Sequence, residues 1–187
     1  LQLTKLGIKE CITKMQEEGL DPSKIKAVMG DGIICGIVGI DAQGRAITPY
    51  INYLDSRTQG DAAELCRQDH SIWGRETGNP EPLCMFPALH ARWLLKNNEA
   101  FKAAGAKFVH NAPYILMNLA GLAAADAFID WGTMSGWGLG YNVYKKQWSP
   151  EQLELLGIDA TYMPQIVKPW DFIGKISAAT AAETGCP

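Results

Sequence analysis

The chain has 187 residues, 47% of them hydrophobic and 20% charged, so it can bury a sizeable core and lies outside the composition range of disordered chains. Its 17 basic and 20 acidic residues give a net charge of -3, and no basic cluster exceeds the pair Lys145-Lys146, which excludes nucleic acid and anionic membrane as electrostatic partners. Because about 150 residues make a typical domain, we expect one globular domain with small-molecule or protein partners.

The five cysteines are widely spaced, odd in number and without a C-x-x-C pair. This pattern argues against a disulfide scaffold or a zinc ribbon and predicts reduced thiols in a cytoplasmic protein. The longest stretch of low charge, 111–128, is interrupted by Pro113 and Gly121 and is too polar to span a bilayer, so no membrane partner is expected. The chain opens directly in a helical pattern without an initiator Met, and we expect it to be cut from a longer protein.

The first 54 residues predict one helix followed by strands. Apolar residues from Leu6 to Met15 recur at helical spacing, and the helix should end near Gly19. Segments 25–29 and 33–40 are apolar and β-branched, which predicts buried strands with a glycine-rich kink between them. A turn at Asp41-Ala42-Gln43-Gly44 leads into a returning strand over 46–54, so the pattern indicates a hairpin.

The rest of the chain alternates short helices with one short strand. Helix starts are indicated by proline in the first turn and by serine before it, and helix ends by glycine. The predicted helices are 58–68, 86–97, 99–104, 112–120, 149–156 and 177–183, the predicted strand is 107–109, and 132–140 is predicted as a glycine-rich loop.

The segment Tyr53-Leu54-Asp55-Ser56-Arg57 lies where a predicted strand ends and a predicted helix begins. Strand alternation puts Tyr53 and Asp55 on one face. A carboxylate, a guanidinium and an aromatic ring at a strand end can bind a polyol, because they offer donors and acceptors to hydroxyls and a flat face to the carbon skeleton. The pattern fits equally an Asp cap of the next helix with Arg57 in solvent, so the residues alone leave both interpretations open.

Several segments resemble one known family. Segment 49–58, Pro-Tyr-Ile-Asn-Tyr-Leu-Asp-Ser-Arg-Thr, resembles the substrate-side strand and turn of the FGGY carbohydrate kinases, and 85–97, which begins Met-Phe-Pro-Ala-Leu-His, resembles the first signature of that family. Further similarities follow in the family's order at 111–116, Asp130, 148–149, 156–158, 163–164, 174–176 and 182–185. The resemblance covers nearly the whole chain and is greatest to the xylulose kinase branch.

Two departures from the family pattern affect the expected substrate. His90 stands where the signature usually has Lys, and Ala91 where it has a large apolar residue. Xylulose kinases commonly carry Gln-Met-His-Gly before the hairpin, whereas this chain has Ile33-Ile34-Cys35-Gly36, so the sugar contact of that histidine is missing. Asp31 is close enough in sequence to take over a hydroxyl contact, and it equally fits a role in the turn alone.

The resemblance implies a mixed α/β fold of the RNase H-like, actin-like ATPase type, with a mixed sheet, flanking helices and a truncated start. Residues 1–187 would form part of the N-terminal sugar-binding domain of a kinase that uses ATP and Mg²⁺ to phosphorylate a xylulose-like sugar or polyol. The phosphate hairpin, the catalytic Asp and the C-terminal domain would lie outside the chain, so no catalytic or metal-binding residue is assigned in it. The implied substrate-binding residues are Tyr53, Asp55, Arg57, Asp31 and Met85.

Three further expectations follow from this interpretation. The isolated chain should be inactive as a kinase. Apolar edges should be exposed where missing strands would pair with 33–40 and 46–54, which predicts a homodimer or aggregation. A sugar-binding or regulatory module without catalysis remains the alternative.

Other chemistry has weaker support. Cys66 and His70 are four residues apart on a predicted helix, but two ligands are half a zinc site. A thiol hydrolase using Cys35 or Cys66 would need a histidine beside the thiol, which sequence cannot establish. The glycines of 136–141 suggest a dinucleotide loop only superficially, because no predicted strand precedes them and no long helix follows.

Overall fold

Short helices and shorter strands alternate in the computed structural model, which describes residues 1–68 and 71–187. The helices are α1 Gln2–Glu17, α2 Gln59–Cys66, α3 Ile72–Thr77, α4 Pro87–Asn97, α5 Asn111–Ala120, α6 Pro150–Leu156 and α7 Ala178–Thr184. The strands are β1 Val38–Ile40, β2 Lys107–Val109, β3 Phe128–Asp130, β4 Tyr141–Asn142, β5 Gln147–Trp148 and β6 Gln165–Val167. The predicted α/β class is therefore confirmed, and most predicted helices are present within two residues of their expected ends.

The strands pair in both directions. β1 is antiparallel to β2, with Val38 opposite Val109, while β3 runs parallel to β6 and β4 antiparallel to β5. The other edge of β1 receives the returning chain through bridges from Ile37 to Ile51 and from Ile40 to Ala46. Within the described ranges these strands form three two-stranded sheets rather than the single mixed sheet that we expected.

The predicted hairpin exists, but its strands are much shorter than expected. Segment 25–29 is not a strand, and only Val38–Ile40 of the predicted strand 33–40 is regular. The chain before it is bent, since Cys35 has a φ of 60° and the loop at Gly32 lies against Ala112 of α5. The returning segment 46–54 meets β1 only at isolated bridges.

The expected open strand edge is wrong for the centre of the hairpin. Ile37, Val38 and Ile40 are buried, because β2 bonds one edge of β1 and the returning segment bonds the other. Apolar exposure is confirmed in the flanking parts of the two segments, at Ile33, Ile34, Tyr50, Tyr53 and Leu54. A homodimer stays a prediction, with a smaller apolar surface to support it.

Helix α4 lies in the larger of two hydrophobic clusters of the described residues, which we call the main core. Its first turns bury Ala88, Leu89, His90 and Ala91 completely, which an apolar helix face can do only when neighbours cover it on several sides. One neighbour is the loop at Gly138, where a Cβ would lie 2.2 Å from the ring of Phe86 and φ is +90°. Glycine is thus needed there for close packing. No helix in the described part of the chain is long and apolar enough to cross a membrane.

Candidate functional site

The chain enters the candidate site through two consecutive turns. Asn52 uses its side-chain oxygen to accept the amide of Leu54 at 2.9 Å, and its carbonyl accepts the amide of Asp55 at 3.1 Å. Asp55 then repeats the motif, because Oδ1 accepts the amide of Arg57 at 3.0 Å. Asn and Asp favour such turns because their short side chains reach backbone two residues ahead. The turns fix the backbone just before α2 begins.

Asp55 and Arg57 form a forked ion pair. Nε of Arg57 lies 2.9 and 3.0 Å from the two carboxylate oxygens, and Nη2 lies 2.7 Å from Oδ2. The guanidinium holds the pKa of the Asp55 carboxyl below its ordinary value, and the same hydrogen bonds raise the pKa of Arg57. The side chains keep 24% and 39% of their surface exposed, so the pair is accessible from solvent.

The wall behind this pair comes from α4 and the turn before it. The guanidinium of Arg57 lies 4.8 Å from the centre of the Trp93 ring, a cation–π distance. The buried hydroxyl of Thr58 donates to the carbonyl of Cys84 at 2.6 Å and so ties the start of α2 to the start of α4. Trp93 therefore backs the guanidinium, and the Thr58 bond holds the start of α2 near α4.

His90 of α4 makes a further contact with Asp55. It is fully buried, its Nε2 lies 3.2 Å from the main-chain oxygen of Asp55, and the carboxylate is 4.0 Å away. Burial lowers the pKa of the His90 imidazole, so the ring is neutral at pH 7. Sequence reasoning registered His90 only as a departure from a family pattern. Its contact joins residues 35 positions apart, which no local pattern could indicate.

The pair retains hydrogen-bonding capacity that the described residues do not use. The Arg57 side chain donates through Nε and Nη2, and Nη1 has no hydrogen-bond partner among residues 1–68 and 71–187. The carboxylate of Asp55, in contrast, already makes four contacts with Arg57, two at each oxygen, which is about the number that a carboxylate accepts. Tyr53, two residues earlier, is 44% exposed. A free donor and an exposed ring are groups that can bind a polyhydroxylated ligand.

The other two predicted residues lie on neighbouring segments. Asp31 is exposed in the loop before β1, and its Oδ1 accepts the amide of Gly32 at 2.7 Å. This bond fits a role in the turn. Oδ2 of Asp31 has no hydrogen-bond partner among the described residues. Met85 is partly buried in the turn before α4 and packs against the main core. The structure thus joins Asp55 with Arg57 directly and leaves Asp31 and Met85 outside that ion pair.

The competing chemistry finds little support. Burial raises the pKa of the Cys35 thiol, which is the wrong direction for a nucleophile. Cys66 is exposed and donates to the carbonyl of Pro82 at 3.5 Å, while His70 lies outside the described residues. No cluster of three or more metal-ligating side chains occurs in residues 1–68 and 71–187.

Comparison with known proteins was made against families, curated sequences and solved structures. The model of the "FGGY family of carbohydrate kinases, N-terminal domain" matches residues 4–187, nearly the whole chain. The gluconokinase of Bacillus subtilis (strain 168) is 23% identical over 177 residues, which are 93% of this chain and 32% of that protein.

Two solved structures illustrate the likeness of fold. A ligand-bound xylulose kinase from Lactobacillus acidophilus is 23% identical with a TM-score of 0.74, and the match covers 100% of this chain and 36% of that one. Plasmodium falciparum glycerol kinase with ADP is 17% identical with a TM-score of 0.76, covering 95% of this chain and 35% of that one. The chain spans about a third of the length of the proteins it matches.

Proposed function

The chain belongs to the FGGY family of carbohydrate kinases, and on this premise we propose that it holds a sugar or polyol for phosphorylation within a longer kinase. The observation that carries the proposal is the forked pair of Asp55 and Arg57, which is partly exposed and leaves Nη1 of Arg57 as an unused donor. Tyr53, two residues before Asp55, is proposed to supply an aromatic face, and Asp31 and Met85 are proposed as further contacts from the loop before β1 and the turn before α4.

The contribution of these residues would be orientation. Arg57 would donate from Nη1 to an oxygen of the ligand, and Asp55 would accept from a ligand hydroxyl in exchange for one of its two contacts with Nε of Arg57. Fixing a hydroxyl in line with a phosphoryl donor removes rotational freedom before the reaction, and such positioning supplies much of the catalysis of phosphoryl transfer. Neither residue would need to take the proton of the attacking hydroxyl.

ATP and Mg²⁺ belong to the proposed reaction of the longer protein. The described residues contain no group of three or more ligating side chains, and Mg²⁺ is commonly held by one or two carboxylates together with the phosphates of the substrate. We therefore assign neither the metal nor the proton acceptor to residues 1–68 and 71–187. The RNase H-like class of fold and a cytoplasmic location are part of the same proposal.

The sugar is left open by the relatives, whose names refer to gluconate, xylulose and glycerol. The test is to supply the full-length protein with ATP, Mg²⁺ and each of these three compounds, and to measure ADP release. We expect ADP release well above the sugar-free blank with at least one sugar or polyol, and loss of most of it in Asp55→Ala. Binding of a sugar without any ADP release would favour the alternative, a regulatory sugar-binding module.

A further inference from the structure

A buried histidine lies directly beneath the proposed sugar site. His90 is the fourth residue of α4, has no exposed surface, and reaches the main-chain oxygen of Asp55 at 3.2 Å. A carbonyl oxygen can only accept a hydrogen bond, so Nε2 must carry the ring proton. The charged groups that face the ring are Asp55 and Arg57, both from the turn above it.

The opposite side of the ring indicates what the histidine is for. Nδ1 is buried and makes no hydrogen bond within the described residues. An apolar side chain would avoid this cost of burying a polar nitrogen, since an unpaired buried polar atom lowers stability. The polar ring is therefore best explained by its one contact, which holds the Asp55 peptide.

That peptide controls the direction of the ion pair. The Asp55 carboxylate accepts both the amide and the guanidinium of Arg57, so a rotation of the Asp55 backbone moves both charged groups together. We propose that His90 is a positioning residue, whose Nε2–H anchors the carbonyl of Asp55 and thereby sets how Asp55 and Arg57 face the sugar. This inference rests on the proposed function for its effect on sugar binding, but not for its effect on the turn.

The test compares three variants of the full-length protein. His90→Leu removes the donor, His90→Gln keeps an N–H at a similar reach, and Leu94→Ala disturbs the buried face of α4 one turn away. We expect His90→Leu to raise the KM for sugar about fivefold to tenfold with the KM for ATP nearly unchanged, the loss expected for one buried hydrogen bond. His90→Gln should recover most of this loss, and Leu94→Ala should lower the Tm while leaving both KM values alone.

A second measurement does not depend on sugar. The amide of Arg57, which donates to Asp55, should exchange its hydrogen faster in His90→Leu than in the unaltered protein or in Leu94→Ala. Unchanged exchange at Arg57, or a His90→Gln variant no better than His90→Leu, would overturn the positioning role. If Asp55→Ala leaves the KM for sugar unchanged while His90→Leu speeds the exchange, the proposed function fails and the positioning role of His90 stands.

Discussion

Two aspartate–arginine pairs lie at helix α2, and they differ in how many of their guanidinium nitrogens have a hydrogen-bond partner. Asp61 in α2 accepts from Arg92 at 2.9 Å and from Lys96 at 2.7 Å, both in α4, and its side chain is 11% exposed. Arg92 spends its remaining nitrogens on Glu64 and on the carbonyl of Leu156 at the end of α6. This pair joins three helices, and each of the three guanidinium nitrogens of Arg92 has a partner.

The pair of Asp55 and Arg57 is built from the same two residue types with the opposite outcome. Its members are two residues apart, so their contact closes a local turn and joins no distant elements. Its guanidinium keeps Nη1 without a described partner, and its carboxylate faces solvent. We infer that an exposed guanidinium nitrogen without a protein partner, rather than charge alone, distinguishes a ligand-binding pair from a structural one.

The largest expected effect tests the structural pair. Arg92→Ala leaves Asp61 nearly buried with Lys96 as its only cation and releases the end of α6. Breaking a buried ion pair from one side typically costs about 3 kcal/mol, so urea unfolding should report a loss of that size. Arg67→Ala is the matched control, because Arg67 is exposed and its side chain donates, within residues 1–68 and 71–187, only to the nearby carbonyl of Ala63. Equal stability of the two variants would contradict the structural role.

The next effect tests the binding pair. Arg57→Lys keeps the charge but loses the fork on Asp55, the flat contact with Trp93 and the free Nη1. We expect the KM for sugar to rise about tenfold in the full-length protein, since the lost contacts include a charge-assisted hydrogen bond. The melting temperature should change little because the pair is exposed and local. A large fall in Tm with an unchanged KM would mean that Arg57 is structural.

Acid should separate the two aspartates. The pKa of Asp55 is lowered, mainly by the hydrogen bonds from Arg57. At Asp61 burial raises the pKa, but the hydrogen bonds from Lys96 and Arg92 outweigh it, so the pKa of Asp61 is lowered as well. In the unfolded chain an aspartate has a pKa of about 3.9. A carboxyl group whose pKa is lower than this in the folded protein stabilises the fold above about pH 3.9, and this stabilisation is lost as the pH falls through the pKa of the folded state. Unfolding free energies should therefore decline below about pH 4.

Asp61→Asn should flatten this decline more than Asp55→Asn, because Asp61 is less exposed and meets two cations. Chemical unfolding measured at intervals of about half a pH unit, from about pH 5 downwards, would give the slope of stability against pH for both variants. A steeper dependence on Asp55 than on Asp61 would reverse the assignment of the two pairs.

The smallest expected effect concerns the ring behind Arg57. Trp93→Leu keeps an apolar side chain on α4 but removes the cation–π contact at 4.8 Å. Such contacts at partly exposed sites are worth about 0.5–1 kcal/mol, so the KM for sugar should rise about threefold. No change in KM would show that Trp93 serves the core alone.

Local signals in the sequence were sufficient for most helices. Pro87 and Pro150 in first turns, and Gly157 and Gly185 after the last turns, mark ends that the structure confirms. Strands were harder, since β3 and β6 have three residues each and no alternation can be recognised over so short a length. The lengths of the strands around β1 depend on which segments pair with it, and pairing is not a local property.

In the candidate site, too, local features could be predicted from the sequence and long-range contacts could not. The turn at Asp55 and Arg57 was recognisable because residue types, spacing and position at a strand end are all local. The contact between the two residues was missed, since the pattern suggested separate contacts with a ligand. Trp93 and His90 were also missed as site residues, because only folding brings α4 beneath the turn.

The contrast between the pairs is tested most directly by replacing each aspartate with alanine in the full-length protein, and measuring unfolding free energy and the KM values for sugar and ATP. Asp55→Ala should raise the KM for sugar, or lower kcat/KM, about tenfold or more, with the KM for ATP nearly unchanged and little loss of stability. Asp61→Ala should lose about 3 kcal/mol of stability with the KM for sugar unchanged in the folded protein. If Asp55→Ala instead melts early and loses activity equally towards sugar and ATP, Asp55 is only part of a turn and the site assignment is wrong.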